Sequence, residues 1–324
     1  MEDKRNVNCS TDTCPKGFKT MCGGQALIEG IMMRGPKKQA IVVRKPDGEL
    51  DVQEKELKFI KDRYPVLGWP LIRGVVSFGG AMYSGVTALM HSADFYPEEE
   101  EEEPSKFELW LEKKLGSEKL MKLVVVLAVV MGIAMSIGLF FLLPTLLGTA
   151  VTFITDSMVV RNVAESLLKI VIFIVYLAFC SRMKEMRRVF SYHGAEHKTI
   201  FCYEAGLPLT VENVREQSRF HPRCGTSFLV LMLLVGIVIS MLIPIAHPVW
   251  RTAIKLLLLP LTVGAGYELI KLAGRKDNAF TRIVSTPGLW MQRLTTIEPD
   301  DGMIECAIRA MEEVIPADPE ADKW

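Results

Sequence analysis

Long apolar stretches fill the middle of the chain, between Leu123 and Leu272. Residues 123–155 contain no aspartate, glutamate, lysine or arginine, and about 20 apolar residues suffice for a helix to cross a bilayer. This run predicts one membrane-spanning helix, which we expect to bend or end at Pro144. By the same criterion, three further spans are predicted at about residues 163–181, 226–245 and 255–273.

Polar and mixed segments surround these runs. The sequence predicts a disordered tail at 1–21, a small α+β N-terminal domain at 22–65 and an interfacial or membrane-packed helix at 66–96. It then predicts an acidic linker with a short helix at 97–117, a four-helix transmembrane domain at 118–275 and a C-terminal cytoplasmic segment at 276–324. The expected fold class is therefore an α-helical polytopic membrane protein, with a helical cytoplasmic loop at 182–225 that bears histidine and cysteine.

The polar regions also carry local signals. In residues 39–53, strand-forming residues alternate on both sides of the Pro-Asp-Gly turn at 46–48, which predicts a β-hairpin. The helix expected at 66–96 has a stripe of small residues with Arg73 on it, so we expect it to lie on or between the spans without crossing. An apolar stripe within 303–311 predicts a short helix that packs on the N-terminal domain.

The distribution of charge predicts the orientation. The loop at 182–225 carries eight lysines and arginines, whereas the loop between the first two spans carries only Arg161 as a clear positive charge. Positively charged loops stay in the cytoplasm, so this loop and both termini are expected there. The 324 residues have zero formal net charge, which indicates no nucleic-acid partner. Seven cysteines without a framework, and a polar start without an apolar signal segment, favour a reducing compartment.

The candidate chemistry lies in this loop. His193, Glu196 and His197 form an H-x-x-E-H pattern, and on a helix the two histidines share one face. The pattern is the inverse of the H-E-x-x-H motif, in which two histidines bind zinc and the glutamate is the general base. His221 and Cys224 form a later H-x-x-C pattern, and both residue types bind zinc. A divalent metal, with zinc as its expected identity, is the predicted cofactor.

Two alternatives stay open at this point. The histidines can instead be ordinary polar residues of a cytoplasmic loop near lipid headgroups. If all four ligand candidates bind, the site is tetrahedral, closed and structural; if three bind, the fourth position is open to water and hydrolysis becomes feasible.

Four further charged residues are candidates for the site. Glu29 and Arg34 interrupt an apolar, methionine-rich run, and either faces the active site or belongs to a short strand and its turn. Glu204 lies in the same loop as the histidines. Glu268 lies near the cytoplasmic end of the fourth span, where it is either functional or simply paired with Lys271.

Several stretches together resemble one family: GGQALIEGIMMRGP, YHGAEHKTIFCYEAG, LTVENVREQSRFHPRCGTSFL and PGLWMQRLTTIEP. They are similar to the YqhQ-like family of bacterial membrane proteins, a domain of unknown function that is sometimes labelled a predicted metal-dependent enzyme. The resemblance covers about residues 22–316. It implies a location in the bacterial inner (cytoplasmic) membrane, and its histidine motif corresponds here to His193, Glu196, His197, His221 and Cys224.

Two functions fit these observations. The first is a membrane-embedded, metal-dependent hydrolase of unknown substrate at the cytoplasmic face, with Glu196 as the base. The second is a scaffold or assembly factor with a structural metal or polar site. A transporter is less favoured because the spans show few charges, and Glu165 and Lys169 are expected at an outer helix end. The expected partners are the bilayer and a protein or lipid-linked molecule; a second copy of the chain is left open.

Overall fold

A computed structural model describes residues 18–57, 64–96, 116–154, 156–245, 247–275 and 279–322. The tail predicted at 1–21 and the linker predicted at 97–117 lie almost entirely outside the described residues. The chain forms two compact units. The first comprises Met1–Tyr96, Leu177–Val235 and Pro260–Trp324, and the second comprises Pro97–Tyr176 and Gly236–Leu259.

The first unit contains a four-stranded antiparallel sheet in which each strand pairs with the next one along the chain. The strands are β1 (Gly23–Leu27), β2 (Gly30–Arg34), β3 (Lys38–Arg44) and β4 (Leu50–Glu56). The predicted hairpin is confirmed as β3 and β4, with Val43 opposite Asp51. Gly48 in its turn has φ 89°, a conformation that glycine adopts without steric cost.

The rest of the described chain is mainly helical. In chain order the helices are α1 (Ile72–Ala93), α2 (Ser117–Ile137), α3 (Leu143–Ala150), α4 (Met158–Cys180), α5 (Lys184–Glu204), α6 (Val211–Arg215), α7 (Gly225–Met241), α8 (Pro248–Leu257), α9 (Leu259–Arg275), α10 (Ala279–Thr295) and α11 (Asp301–Val314). Short 3₁₀ turns lie at Pro65–Gly68, Val151–Phe153 and Pro319–Asp322.

Both faces of the sheet are covered. Side chains alternate between the faces along a strand, so Met33 packs with α5 and α11 while its neighbour Met32 packs with Ala88 of α1. The C-terminal helix α11 therefore packs on the sheet, as its apolar stripe predicts. Its first turn is capped by Asp300, whose side chain accepts a hydrogen bond from Met303 N. The sheet thus shares its cores with later helices.

Helix α1 uses its small residues for close packing. A Cβ built on Gly74 would lie 3.0 Å from Gly264 Cα in α9, and one built on Gly85 would collide with the Gln25 side chain of β1. Arg73 forms an ion pair with Glu268 of α9. Within the described chain, α1 is not among the helices whose length and hydropathy suit a membrane span.

Two continuous helical segments are long and apolar enough to cross a membrane, Val126–Ala150 and Met158–Cys180. The pair α8 and α9, bent by 49°, adds a third if it counts as one broken span. Helix α7 is apolar but has only 17 residues. These findings support a membrane protein with two or three candidate spans.

Pro144 neither ends nor sharply bends the first of these segments. It lies at the start of α3, directly after a π-helical segment at Gly138–Leu142. Proline has no N–H to donate inside a helix, and a local π turn is one way to accommodate that loss. The hydroxyl of Thr145 donates a 2.8 Å hydrogen bond to the carbonyl of Phe141.

The second unit contains buried charges, which corrects the expectation of few charges in the spans. Glu165 is 3% exposed and accepts hydrogen bonds from Arg251 and Lys255. It therefore does not lie at a solvated helix end. Lys169 is half-buried, with its ammonium 5.0 Å from the centre of the Phe141 ring.

Candidate functional site

The H-x-x-E-H pattern lies on α5, in the part of this helix that is packed against the sheet. His193, Glu196 and His197 project from one side, as the helical spacing predicts. Gly194, between them, is required by a close crossing: a Cβ at this position would lie 2.1 Å from the carbonyl oxygen of Ile297. Ile297 N also donates a hydrogen bond to Phe190 O. The segment after α10 is thereby held directly against the histidine helix.

Both imidazoles are oriented by backbone carbonyls. His193 Nδ1 lies 2.8 Å from the carbonyl oxygen of Thr295, and His197 Nδ1 lies 2.5 Å from that of Arg219. A carbonyl only accepts hydrogen bonds, so each Nδ1 carries a proton and each Nε2 is the ring's remaining nitrogen for a ligand. This arrangement, with Nδ1 on a carbonyl and Nε2 turned inward, is typical of metal-binding histidines.

Cys224 completes the cluster. Its Sγ lies 3.1 Å from His193 Nε2, and one ligand atom from each of His193, His197 and Cys224 lies within 4.8 Å of the others. Thr226 N donates a hydrogen bond to the same sulfur at the start of α7. Burial raises the pKa of the Cys224 thiol, but the two histidines outweigh burial and hold that pKa well below its usual value. The thiolate is the form that binds metals.

The charge on Cys224 acts back on His193. Burial lowers the pKa of the imidazole, but the neighbouring Cys224 outweighs burial and raises it to about 9. An ion pair between a Cys224 thiolate and a His193 imidazolium would explain the pKa shifts of these two residues without a metal. It leaves His197 Nε2 buried without a hydrogen-bond partner among the described residues. A cation bound by all three side chains satisfies that atom as well.

Glu196 lies beside this cluster and outside the set of mutually close ligand atoms. Its Oε1 accepts a 2.9 Å hydrogen bond from Gly24 N in β1. Its Oε2 is buried and has no hydrogen-bond partner in the described part of the chain. Burial raises the pKa of this carboxyl. A Cβ on Gly24 would lie 3.1 Å from Glu196 Cδ, so glycine lets the strand approach the carboxylate.

His221, the other predicted ligand, is near the cluster but is used differently. Its ring centre lies 5.6 Å from that of His197, and its Nε2 lies 3.7 Å from Glu204 Oε2. Burial lowers the pKa of His221, in spite of Glu204. The backbone of His221 is held by the fully buried Gln292, which accepts from His221 N and donates to His221 O, both at 2.7 Å.

Of the other predicted candidates, only Glu204 borders this region. It binds Arg223 and accepts a hydrogen bond from Thr20 N. Burial opposes its ionisation, but His221 and Arg223 lower the pKa of Glu204 overall.

Three candidates lie elsewhere. Glu29 binds Arg188 and accepts a hydrogen bond from the Tyr192 hydroxyl. Arg34 lies on the sheet face that packs on α1, since it alternates with Met33 along β2. Glu268 binds Arg73 rather than simply Lys271, three residues on. Glu29 and Glu268 therefore connect elements through ion pairs.

Several groups that position the site are not predicted by the sequence pattern. Gly24, Arg219 and Thr295 act through backbone atoms, which leave no mark in the pattern of side chains. Gln292 and Thr295 both lie within PGLWMQRLTTIEP, one of the stretches that resemble the YqhQ-like family. That resemblance was the sequence feature that could have pointed to them. Trp290, on the same helix as the buried Gln292, is half-exposed.

Comparison with known proteins places the chain in a family. A family model described as "Protein of unknown function (DUF1385)" matches residues 69–317, so the chain belongs to this family. The protein described as "Uncharacterized protein YqhQ" of Bacillus subtilis (strain 168) is 34% identical over 295 residues, which cover 90% of this chain and 92% of that protein. The YqhQ-like resemblance is therefore confirmed. No solved structure matches the chain.

Proposed function

We propose that this chain is a membrane-embedded, metal-dependent hydrolase that acts at the cytoplasmic face of the bacterial inner membrane. The observation that carries the proposal is the common orientation of the two imidazoles. Each Nδ1 is bound to a backbone carbonyl, and one ligand nitrogen of each imidazole lies with the Cys224 sulfur in a group whose atoms are within 4.8 Å of one another. Such convergence of three basic ligand atoms is costly unless a cation neutralises it.

The ligand set suits zinc. Two imidazole nitrogens and one thiolate are ligands that zinc takes, and a site with three protein ligands keeps its fourth position open. His221 is directed to Glu204 and is not counted among the three. Bound here, a zinc ion would supply the electrophilic and water-activating chemistry of metal-dependent hydrolases.

Glu196 is the proposed general base. Its Oε1 is fixed by Gly24 N, whereas its Oε2 is the oxygen that can accept a proton. Burial raises the pKa of this carboxyl, which brings it toward the working pH and makes it a better proton acceptor. The residue would then return the proton to the leaving group.

The proposed topology has four spans with the site and both termini in the cytoplasm. The eight lysines and arginines in 182–225 support this orientation. Single cysteines in a cysteine-free background test it. A label at Asp156 should react from outside intact cells, and one at Glu212 only after permeabilisation. Labelling of Glu212 from outside would overturn the orientation.

A scaffold with a structural metal is the second candidate, and burial is the observation that favours it. His197 is 1% exposed, Glu196 5% and Cys224 6%. In this alternative Glu196 is only a polar neighbour of a closed site, so that its ability to move a proton has no importance.

Glu196→Gln separates the two functions because it preserves size and removes the base. In the hydrolase, the variant should keep its metal and fold but lose about 10²- to 10⁴-fold of the activity. The measurement is complementation of a deletion strain that has a growth or envelope phenotype, with protein level and metal content determined in the same cells. Glu185→Gln, an exposed change on the same helix, is the matched control.

Full complementation by Glu196→Gln with metal still bound would remove the base from the mechanism and favour the scaffold. Wild-type protein without a transition metal, purified without chelators, would contradict both metal-dependent functions.

A further inference from the structure

The two edge strands of the sheet, β1 and β4, differ in charge. An edge strand presents N–H and C=O groups that have no partner within its own sheet. Strand β4 has the sequence LDVQEKE, with four charged residues, whereas β1 has the sequence GGQAL, with none. Charged residues on an edge oppose the addition of a further strand. The β4 edge is protected in this way, and the β1 edge is not.

The register determines which groups of β1 point outward. Gly35 N donates a hydrogen bond to Lys38 O in the turn between β2 and β3. Bonded and non-bonded pairs alternate along an antiparallel ladder, so two residues before Gly35, Met33 bonds to β3. Gly24 is opposite Met33, and Ala26 is two residues further along β1. Both therefore direct their backbone groups away from β2.

These outward groups lie on an accessible edge. Gly24 N donates its hydrogen bond to Glu196 Oε1. The carbonyl of Gly24 and both backbone groups of Ala26 have no hydrogen-bond partner in the described ranges of the chain. Gly24 and Gln25 are exposed, and a Cβ built on Gly23 would meet no atom within 4 Å. The edge is therefore accessible to a molecule that donates and accepts hydrogen bonds along its length.

An extended polypeptide is the molecule that matches this edge. Its backbone offers one donor and one acceptor at every second residue on the same side, which is the spacing of Gly24 and Ala26. Residues directly opposite in a ladder share a face, so these two lie on the face of Met33, which packs on α5. Because both are small, β1 places no bulky side chain beside those of an added strand on that face.

The edge leads to the proposed catalytic site. An added antiparallel strand can exchange two hydrogen bonds with Ala26. Its next inward position, about 7 Å along the strand, is opposite Gly24, whose N–H is already bound to Glu196. The carbonyl of the added strand at that position therefore lacks its donor in β1 and lies beside Glu196.

We infer that the free edge of β1 binds an extended polypeptide as a fifth strand and delivers one of its carbonyls to Glu196. That this polypeptide is the substrate rests on the hydrolase proposed above, whereas its binding does not. In the reaction, water adds to the peptide carbonyl carbon, and Glu196 takes a proton from that water and passes it to the leaving nitrogen. The C–N bond breaks, which gives a carboxylic acid and an amine.

Fluorescence anisotropy with the full-length protein in a non-ionic detergent tests the inference. The probe is a labelled peptide of about nine residues, in which threonine and valine alternate between terminal lysines. A second peptide has the same side chains, but its amide nitrogens are methylated. The signal from protein-free micelles is subtracted. The first peptide should bind at least about tenfold more tightly, because methylation removes the donors to Gly24 O and Ala26 O.

Two proline variants locate the binding. Ala26→Pro removes an outward N–H, and proline is tolerated on an edge strand where this group points away from the sheet. It should weaken binding of the first peptide about tenfold or more. Glu54→Pro is the matched control on β4. Glu54 is opposite Ala40, which bonds to β2, so its N–H also points away from the sheet. This control should bind as the wild type does, and circular dichroism checks the fold of both variants.

Each result supports or overturns one part of the inference. Equal binding of the two peptides by the wild type, or wild-type binding by a folded Ala26→Pro, would overturn the added strand. No binding by protein that complements the deletion strain would overturn this inference alone. A bound peptide that mass spectrometry shows uncleaved would support the binding edge and overturn peptide hydrolysis. A dimer that Ala26→Pro dissociates, measured by light scattering, would assign the edge to a second copy of the chain.

Discussion

Two buried polar clusters differ in how completely their hydrogen-bonding groups are used. In the second unit, all five N–H groups of Arg251 have acceptors: Glu165, Asn162 and the carbonyls of Ser240, Ile243 and Ile245. In the first unit, His197 Nε2 and Glu196 Oε2 are buried with no hydrogen-bond partner among the residues that are described.

The difference separates a structural role from a binding role. The last carbonyls of a helix lack donors within the helix, and Arg251 donates to one carbonyl in the last turn of α7, that of Ser240, and to those of Ile243 and Ile245 just after it. Every N–H group of Arg251 is used without any ligand. The histidine cluster presents converging acceptors instead, and buried acceptors without donors are rare unless something else binds them. Burial and charge alone would not have distinguished the clusters.

The largest expected effect is the loss of metal when a proposed ligand is removed. His193→Ala and His197→Ala should each lose most of the bound metal, because two remaining protein ligands hold zinc poorly. Elemental analysis of the purified protein is the measurement. The control is His91→Ala, which removes a histidine that contacts Asp51 instead. Metal retained in both site variants would show that these histidines are not metal ligands. The two clusters would then not differ in their need for an ion.

Removing Arg251 should destabilise the protein without affecting the metal. Arg251→Met removes one of the two cations that bind the buried Glu165 and the donor to the carbonyls of Ile243 and Ile245, which should cost about 3–5 kcal/mol of unfolding free energy. Denaturant titration in detergent measures this cost, with the exposed Arg187→Met as the control. A variant as stable as the wild type would show that the saturated network is not structural.

Gln292→Ala should have a smaller effect, on both stability and metal. The change removes two hydrogen bonds to the buried backbone of His221, which should cost about 1–3 kcal/mol. Positioning groups around a metal site typically change its affinity about 10- to 100-fold, so a competition titration with a chelator should show weaker binding. Gln217→Ala removes only a local hydrogen bond to Asn213. Equal results for the two variants would exclude a positioning role for Gln292.

Glu268→Gln should have the smallest effect. Its ion pair with Arg73 is about one-quarter to one-third exposed, and pairs near the surface contribute about 0–1 kcal/mol. Thermal unfolding should therefore shift little, and metal content should stay the same. A loss of metal in this variant would mean that Glu268 belongs to the site after all.

Spacing and hydropathy predicted the parts of the molecule that depend on local periodicity. The apolar runs predict candidate spans because a bilayer demands long apolar helices, and His193 and His197 share a face because a helix repeats every 3.6 residues. The hairpin follows from its turn residues. These predictions depend only on residues that are close to one another in the sequence.

Contacts between distant residues were not predictable in the same way. Arg251 binds Glu165 across 86 positions, and no local pattern pairs them. The strands β1 and β2 carry glycine and methionine rather than typical strand formers, so burial against α5 and α1 determines their conformation. Sequence spacing suggested His221 and Cys224 equally as further ligands, and only the fold directs the first to Glu204 and the second to His193.

The contacts of α5 also depend on the order in which the chain is synthesised. Thr295, whose carbonyl orients His193, lies 102 positions later in the chain. At about 5–20 residues per second, translation reaches it roughly 5–20 s after His193. A nascent chain therefore exposes its histidine helix before the group that sets the tautomer exists. The proposed site therefore has all its orienting groups only after Thr295 has been synthesised.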